Sequence, residues 1–155
     1  MLIQGKIAKN KNQARKMLED AINSGKAFEK LKKMVEYQGG NVGQIEDPSL
    51  LPQAKFKTEM KSKNDGDIDN IHSMNLGILS MKLGGGRERK EDKINYAVGL
   101  EMKVKKGDKV EKGDSLAIVY HDKKLTDEWI ESFYQTFTYS KEKTKPIPVV
   151  EEILE

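Results

Sequence analysis

The sequence predicts an α+β fold in which a helical hairpin precedes a strand-rich unit with an inserted helix, and a further helix follows. Three observations predict it. Apolar residues recur at three- and four-residue spacing over the first 40 positions and again after position 126. Between these segments, short runs alternate apolar and polar residues, as strands do. Asp47-Pro48 and Leu51-Pro52 separate the first helices from the strands, because Pro keeps the preceding residue out of the helical region.

The first part of the chain is predicted to be a helical hairpin. One apolar stripe covers positions 12–24, and Gly25 follows where a helix C-cap is expected. A second stripe comes next and stops at Gly39-Gly40. We expect the hairpin to span residues 1–46 as the remnant of a preceding α/β domain, with a linker over 47–53.

Residues 54–125 are expected to form a β-rich domain. The alternation from Phe56 to Ser62, followed by Asn64-Asp65-Gly66, predicts a β-hairpin closed by a tight turn. A short helix over positions 75–83 is predicted to end in a mobile loop that begins with Gly84-Gly85-Gly86.

Two further strands are predicted from alternating residues, one over positions 94–98 and one over 116–120. Residues 126–155 are expected to form a C-terminal helix and an extended tail over 145–150. Thr126 is the candidate N-cap of that helix. The stripe of Trp129, Phe133 and Phe137 is interpreted as core in preference to a stacking platform.

Composition narrows the classes of function. Hydrophobic residues make up 36% and charged residues 34%, so a small core with wide charged faces is expected. The 28 Lys and Arg are interspersed with 25 Asp and Glu, which indicates a solvated surface and no nucleic-acid partner. Because the chain has no Cys, thiolate catalysis and Cys-bound zinc are excluded. No apolar run approaches a membrane span, and we expect a cytoplasmic protein.

A double Gly-Asp turn is the most informative local pattern. Gly107-Asp108 and Gly113-Asp114 lie six residues apart, each followed by an apolar segment. This arrangement resembles the half-barrel of biotinyl and lipoyl carrier domains. Carriers present a modified lysine within Met-Lys-Met or Asp-Lys-Ala, whereas Lys123 and Lys124 lack that context. No bound cofactor is predicted, and a free-standing carrier or binding module remains the alternative function.

The glycine-rich segment is the candidate functional loop, although phosphate binding is one interpretation of it. Glycines let backbone N–H groups approach an anion, and Arg87 could pair with it. These glycines, however, end a helix instead of opening one, and no Gly-Lys-Ser/Thr follows, so a flexible interdomain loop is favoured over an anion site. The candidate residues of this loop are Gly84, Gly85, Gly86, Arg87, Lys90, Glu91 and Asp92.

The sequence offers no metal or catalytic constellation. His72 and His121 are far apart and lack metal-ligand spacing, so neither is predicted to bind metal or act as a general base. An enzyme with an active site of its own is a third and weaker hypothesis, since no His, Ser and carboxylate set converges.

Taken together, the chain resembles the C-terminal portion of the pyrimidine-nucleoside and thymidine phosphorylases from about residue 12 onward. The marks of the resemblance, in chain order, are Ala14-Arg15-Lys16-Met17-Leu18, Ala21-Ile22, Ser24-Gly25-Lys26-Ala27, Gln38-Gly39-Gly40, Asp47-Pro48-Ser49-Leu50-Leu51-Pro52 with Ala54, Leu83-Gly84-Gly85-Gly86-Arg87, Lys90-Glu91-Asp92, Ala97-Val98-Gly99-Leu100 and the double Gly-Asp turn. Their order and spacing make the match specific. The β-rich part is then expected to be a barrel-sandwich or hammerhead-like unit.

The resemblance implies phosphorolysis of uridine, thymidine or deoxyuridine to free base and pentose 1-phosphate by a homodimer. Phosphate would bind to one of the parent enzyme's two domains and the pyrimidine would sit between them, so that domain closure brings the reactants together. The family's Lys-His-Ser-Thr-Gly-Gly-Val-Gly-Asp motif, its base-binding set and its monovalent-cation ligands are missing here. No catalytic residue is therefore carried over, and the chain is expected to be an inactive fragment that keeps the C-terminus of its parent and needs the rest of it as partner.

Some positions depart from the family pattern. Asp65-Gly66-Asp67 replaces a Gly-Tyr/Val turn, and Gly85 replaces a usual Ala. Asn95 stands where Asp is usual, and His121-Asp122 where His-Ser is common. We expect these differences to affect loop contacts and fine specificity, while the fold is retained.

Overall fold

The computed structural model describes residues 1–145, which contain both helices and antiparallel sheets, so the predicted α+β class is confirmed. The chain divides into two compact units, Met1–Leu51 and Pro52–Glu155. The tail predicted to be extended over 145–150 lies outside the described residues beyond Lys145.

The first unit contains the two helices predicted from the apolar stripes. Helix α1 spans Lys11–Asn23, α2 spans Lys26–Tyr37, and a short α3, Gly43–Glu46, precedes a 3-10 turn at Pro48–Leu50. Asn10 caps α1, because its side chain accepts a hydrogen bond from Gln13 N over 2.9 Å. Gly25 joins the helices with a φ of 76°, a conformation that favours glycine.

The second unit is built from two three-stranded antiparallel sheets and two helices. Its elements in chain order are β1 (Phe56–Lys61), β2 (Gly66–Ile71), α4 (Ser73–Ser80), β3 (Gly99–Met102), β4 (Lys109–Val110), β5 (Ser115–His121), α5 (Asp127–Tyr134) and β6 (Phe137–Ser140). One sheet has the order β1-β5-β3 and the other β4-β2-β6. Over the described residues the two sheets stay separate and form no closed barrel.

The predicted hairpin of β1 with β2 is wrong, since these strands lie in different sheets. β1 pairs with β5, whereas β2 pairs with β4 and β6. Asp65 does not close a local turn but accepts a hydrogen bond from Lys112 N over 2.6 Å. Gly66 has a φ of 145°, and a Cβ there would lie 2.9 Å from Ser140 O. The segment therefore carries the chain from one sheet to the other.

The first Gly-Asp turn attaches to the β4-β2-β6 sheet. Gly107 has a φ of 89°, and Asp108 Oδ2 accepts from Lys105 N over 2.9 Å. Gly107 N donates to Ile68 O, and Ile68 N donates to Asp108 O, each over 2.8 Å. A positive φ at the third residue of a turn is the reason for glycine here.

The second Gly-Asp turn repeats this arrangement on the other sheet. Gly113 has a φ of 102°, and Asp114 Oδ2 accepts from Glu111 N over 2.8 Å. Gly113 N donates to Ser62 O over 2.9 Å, and Ser62 N donates to Asp114 O over 2.7 Å. The six-residue offset between the turns thus matches the six residues between their docking positions, Ser62 and Ile68.

The core of the second unit lies where helix α5 meets the strands. Phe133, Ile68, Leu116 and Val119 are fully buried. The predicted cap is confirmed, because Thr126 Oγ1 accepts from Trp129 N over 3.1 Å.

Two boundaries differ from the predictions. Phe137 does not continue the helix but begins β6, where it pairs with Ile71 and remains buried. No strand forms at positions 94–98, and β3 begins directly after them, at Gly99. Tyr96 is 78% exposed, so the alternation around it does not mark a half-buried strand.

Candidate functional site

The base of the glycine-rich loop is packed against the end of α4. After Ser80 the chain continues through Met81–Gly85 as a wide helical turn, in which Gly84 has a φ of 101°. A Cβ on Gly85 would lie 3.0 Å from Ser80 Oγ and 3.1 Å from Ser80 O. Both positions therefore need glycine, the first for its conformation and the second for close approach.

A pair of polar side chains fixes the far end of the loop. Asn95 N donates to Gly84 O over 2.9 Å, and Asn95 Nδ2 donates to Asp122 Oδ2 over 2.7 Å. Asn95 Oδ1 in turn accepts from Ala97 N over 3.0 Å. Both ends of the loop are thus connected to the residue that follows β5.

Asp122 also receives a hydrogen bond from Lys55 N at 2.8 Å. This backbone hydrogen bond, followed by that from Asn95, lowers the pKa of the Asp122 carboxyl, because both stabilise the charged form. Asp122 therefore connects the start of β1, the end of β5 and the base of the loop.

Asp92 organises the tip of the loop. Its Oδ2 accepts from Arg89 N over 2.8 Å and from Glu88 N over 3.1 Å. Arg87, Lys90 and Glu91 are exposed. Of the predicted site residues, the three glycines and Asp92 thus shape the loop, while Arg87, Lys90 and Glu91 present their side chains to solvent.

A cavity of about 510 Å³ lies beside the loop. One wall is formed by the segment from Met81 to Gly86 and by Asp92 and Lys93, and the other by residues 121–126 and helix α5. Sequence reasoning missed Lys82 and Lys93 as parts of this wall, and considered Lys123 and Lys124 only as carrier lysines. These lysines flank the loop and the end of β5, and the sequence does not show that they are neighbours, because they come together only in the walls of this cavity.

The side chain of His121 is held by contacts within the fold. Its side chain is 6% exposed and stacks on Phe56 with ring centroids 5.6 Å apart. Its Nε2 shares a hydrogen bond of 2.8 Å with Thr58 Oγ1, and its Nδ1 lies 2.8 Å from Lys123 O. His72, by contrast, is exposed and precedes α4, and among residues 1–145 no three His, Asp or Glu side chains are grouped as metal ligands would be.

Comparison with known proteins defines the class to which this fold and loop belong. Residues 68–140 match the family described as "Pyrimidine nucleoside phosphorylase C-terminal domain". The chain therefore belongs to the pyrimidine-nucleoside phosphorylase family and represents its C-terminal domain.

Individual relatives agree along nearly the whole chain. A pyrimidine-nucleoside phosphorylase of Bacillus subtilis is 38% identical over 146 residues, which is 94% of this chain and 34% of the relative. One from Staphylococcus aureus is 36% identical over 155 residues, 100% of this chain and 36% of the relative. The chain thus spans about a third of the length of these relatives.

The alternative of a free-standing carrier module is not favoured. The phosphorylases above match 94–100% of the chain, including its double Gly-Asp turn. Lys123 and Lys124 also lie on the connection from β5 to α5, away from any turn between two paired strands of the described chain. Within residues 1–145, no helix combines the length and apolar character that crossing a bilayer requires.

Proposed function

We propose that this chain is the structural C-terminal part of an enzyme that cleaves pyrimidine nucleosides with phosphate, giving free base and pentose 1-phosphate. The rest of the parent, a homodimer in the cytoplasm, binds phosphate and nucleoside and supplies the catalytic groups. This part braces the parent's α/β domain and helps its domains to close, and it is inactive alone. Family membership supports the reaction class.

One observation carries the role in closure: the loop from Gly84 to Asp92 is anchored at its base and exposed at its tip. The base is held by Asn95, which bonds both Gly84 and Asp122. The tip is shaped by Asp92, while the side chains of Arg87 and Lys90 are exposed. A loop that is fixed at its base and charged at its tip can contact a moving domain without losing its own shape.

We propose a role for each segment of the chain in the same way. Residues 1–46 complete the preceding α/β domain, and 47–53 act as a linker. Residues 54–125 form a hammerhead-like unit around the inserted helix α4, and 126–155 are the C-terminal segment, which begins with helix α5. The two sheets and the inserted helix of the second unit support this description.

The loop role is tested in a full-length phosphorylase that carries this chain as its C-terminal part. Replacing residues 87–91 by Gly and Ser, with Gly84 and Asp92 retained, is expected to lower kcat/KM by about tenfold, equivalent to about 1.4 kcal/mol of transition-state stabilisation. A matched replacement of the exposed residues 141–143 is the control. Unchanged turnover and unchanged substrate affinity in the loop variant would contradict the proposal.

Inactivity of the isolated chain is tested separately. Release of uracil or thymine from uridine and thymidine is measured with phosphate, first for the purified chain and then after adding the missing upstream portion of a relative. We expect no release by the chain alone and recovery on complementation. Release by the chain alone would show that it contains an active site.

A further inference from the structure

The cavity beside the glycine-rich loop has no role in the proposed function, yet its size and walls are those of a ligand site. Its volume of about 510 Å³ lies within the range of roughly 300–1,000 Å³ that small-molecule pockets occupy. Its walls come from the segment after α4, the loop, residues 121–126 and α5, so it is lined by the second unit only. Both the charge and the apolar surface of these walls restrict what it can hold.

Positive charge predominates around the cavity. Four lysines border it, Lys82, Lys93, Lys123 and Lys124. No carboxylate among residues 1–145 forms an ion pair with any of them. Ammonium groups without a partner that surround one concave surface attract a small anion.

The carboxylates of the cavity do not cancel this charge. Three carboxylates also line the wall, those of Glu88, Asp92 and Glu128. Asp92 accepts hydrogen bonds from the loop amides of Glu88 and Arg89, which stabilise its charged form. Four ammonium groups against three carboxylates leave a surplus of one positive charge. A phosphate monoester offers three acceptor oxygens to the ammonium groups, whereas a carboxylate offers two, so it satisfies more of these donors at once.

The floor of the cavity is apolar and fixed. Leu125 and Trp129 contribute to it and are at most 9% exposed. The indole Nε1 of Trp129 donates to Leu79 O over 3.2 Å, and its ring stacks on Phe133 with centroids 6.0 Å apart. Only the edges of Leu125 and Trp129 are exposed, and the half-buried side chains of Met81 and Leu83 complete the apolar part of the wall. A ring that contacts this preformed surface pays little ordering cost on binding.

We propose that this cavity binds a small phosphate monoester that carries a planar ring. The phosphate lies among the ammonium groups of Lys82, Lys93, Lys123 and Lys124. The ring contacts the apolar part of the wall, formed by Met81, Leu83 and the exposed edges of Leu125 and Trp129. Because the second unit supplies the whole cavity, binding requires neither the parent enzyme nor its activity, and the test below leaves the proposed phosphorylase role untouched.

Trp129 is the single Trp of the chain, so its fluorescence reports directly on the cavity. The full chain is titrated at low salt with phenyl phosphate, inorganic phosphate, benzoate and phenol. Trp129 is excited at a wavelength that the phenyl groups of the ligands do not absorb. We expect phenyl phosphate to bind at least tenfold more tightly than each of the other three, and its affinity to fall as salt rises. Equal binding of benzoate would overturn the phosphate assignment, and equal binding of inorganic phosphate or of phenol would overturn the assignment of a ring-bearing ester.

Paired variants test the location. Lys123→Ala/Lys124→Ala is expected to raise the Kd of phenyl phosphate about tenfold or more, since it removes two charge-assisted contacts to the phosphate. Both lysines are exposed, so the substitutions leave the fold intact. Lys141→Ala/Lys143→Ala removes the same charge from an exposed segment away from the cavity wall and is expected to leave the Kd unchanged. Equal affinities of Lys123→Ala/Lys124→Ala and of the unsubstituted chain for phenyl phosphate would overturn the proposal.

Discussion

Asn95 Nδ2 donates a hydrogen bond of 2.7 Å to Asp122 Oδ2, and Asn95 N donates to Gly84 O over 2.9 Å. An Asp at position 95 would face the Asp122 carboxylate, whereas Asn supplies a donor. Asn95 thus keeps the base of the loop attached to the end of β5.

The first prediction concerns this pair. Asn95→Asp places two carboxylates in contact, so we expect a lower Tm at pH 7 and partial recovery near pH 4, where one of them is protonated. Asn95→Ala removes the hydrogen bonds without adding charge and is expected to lower the Tm by about 2–4 °C. Thermal unfolding followed by Trp129 fluorescence measures both. Equal Tm values for the two variants at pH 7 would argue against a direct contact.

The second prediction is a pH dependence that arises from Asp122. Hydrogen bonds from Lys55 N and Asn95 hold its pKa in the folded chain below the ordinary value of about 3.9. Its stabilising contribution is therefore complete above that value and is lost as the pH falls through the lower, folded-state pKa.

Urea midpoints measured from pH 6 to pH 2.5 test this dependence. We expect the Asp122→Asn variant to be less stable than the unsubstituted chain at pH 6. On acidification the variant should lose less stability than the unsubstituted chain does. Asp69→Asn, at an exposed position of β2, serves as the matched control. Its stability is expected to depend on pH as that of the unsubstituted chain does. If the urea midpoints of Asp122→Asn and of the unsubstituted chain fell in parallel as the pH is lowered, Asp122 would not be the source of this pH dependence.

The third prediction tests the aromatic core. Phe133 is fully buried and contacts the rings of Trp129, Tyr134 and Phe137. Phe133→Ala is expected to reduce the free energy of unfolding by about 3–5 kcal/mol, because it removes apolar burial and leaves a cavity. Tyr96→Ala, at a side chain that is 78% exposed, should change it by less than about 0.5 kcal/mol. Chemical unfolding measures both, and a cost for Phe133→Ala similar to that for Tyr96→Ala would show that this cluster is not the core.

The fourth prediction separates backbone conformation from crowding. A Cβ on Gly113 would meet nothing within 4 Å, but its φ is 102°. We therefore expect Gly113→Ala to cost about 1–2 kcal/mol through backbone strain alone. Gly99, in β3, also has open space around a new Cβ but no positive φ, so Gly99→Ala should cost nothing or stabilise slightly. Similar free energies of unfolding for the two variants would show that the turn tolerates a side chain.

Several elements could be predicted from the sequence because their signals are local. The helices α1 and α2 follow from apolar stripes, and α5 follows from the cap at Thr126, whose side-chain hydrogen bond is made within the same turn. The glycine-rich loop could likewise be located, since Gly84 and Gly85 end a helix. Such features depend on residues within a few positions of each other, so the sequence alone is sufficient.

Other predictions failed where a local signal was ambiguous. The four-residue spacing from Phe133 to Phe137 fits a helix, yet Phe137 begins a strand that pairs with β2. Asn64-Asp65-Gly66 has the composition of a hairpin turn, but the Asp65 side chain accepts a hydrogen bond from Lys112 N, 47 residues away. Alternation identifies a strand without naming its partner, because a strand's hydrogen bonds are made to another part of the chain.

The sequence by itself determined the α+β class, the family resemblance, the helices and the position of the glycine-rich loop, because periodicity, capping residues and turn glycines act over short range. Only the tertiary structure decided which strands pair, that Asn95 meets Asp122, and that lysines from three separate segments border one cavity. Those outcomes depend on long-range packing, in which residues distant along the chain compete for the same partners, and no local pattern records which pairing has the lowest free energy.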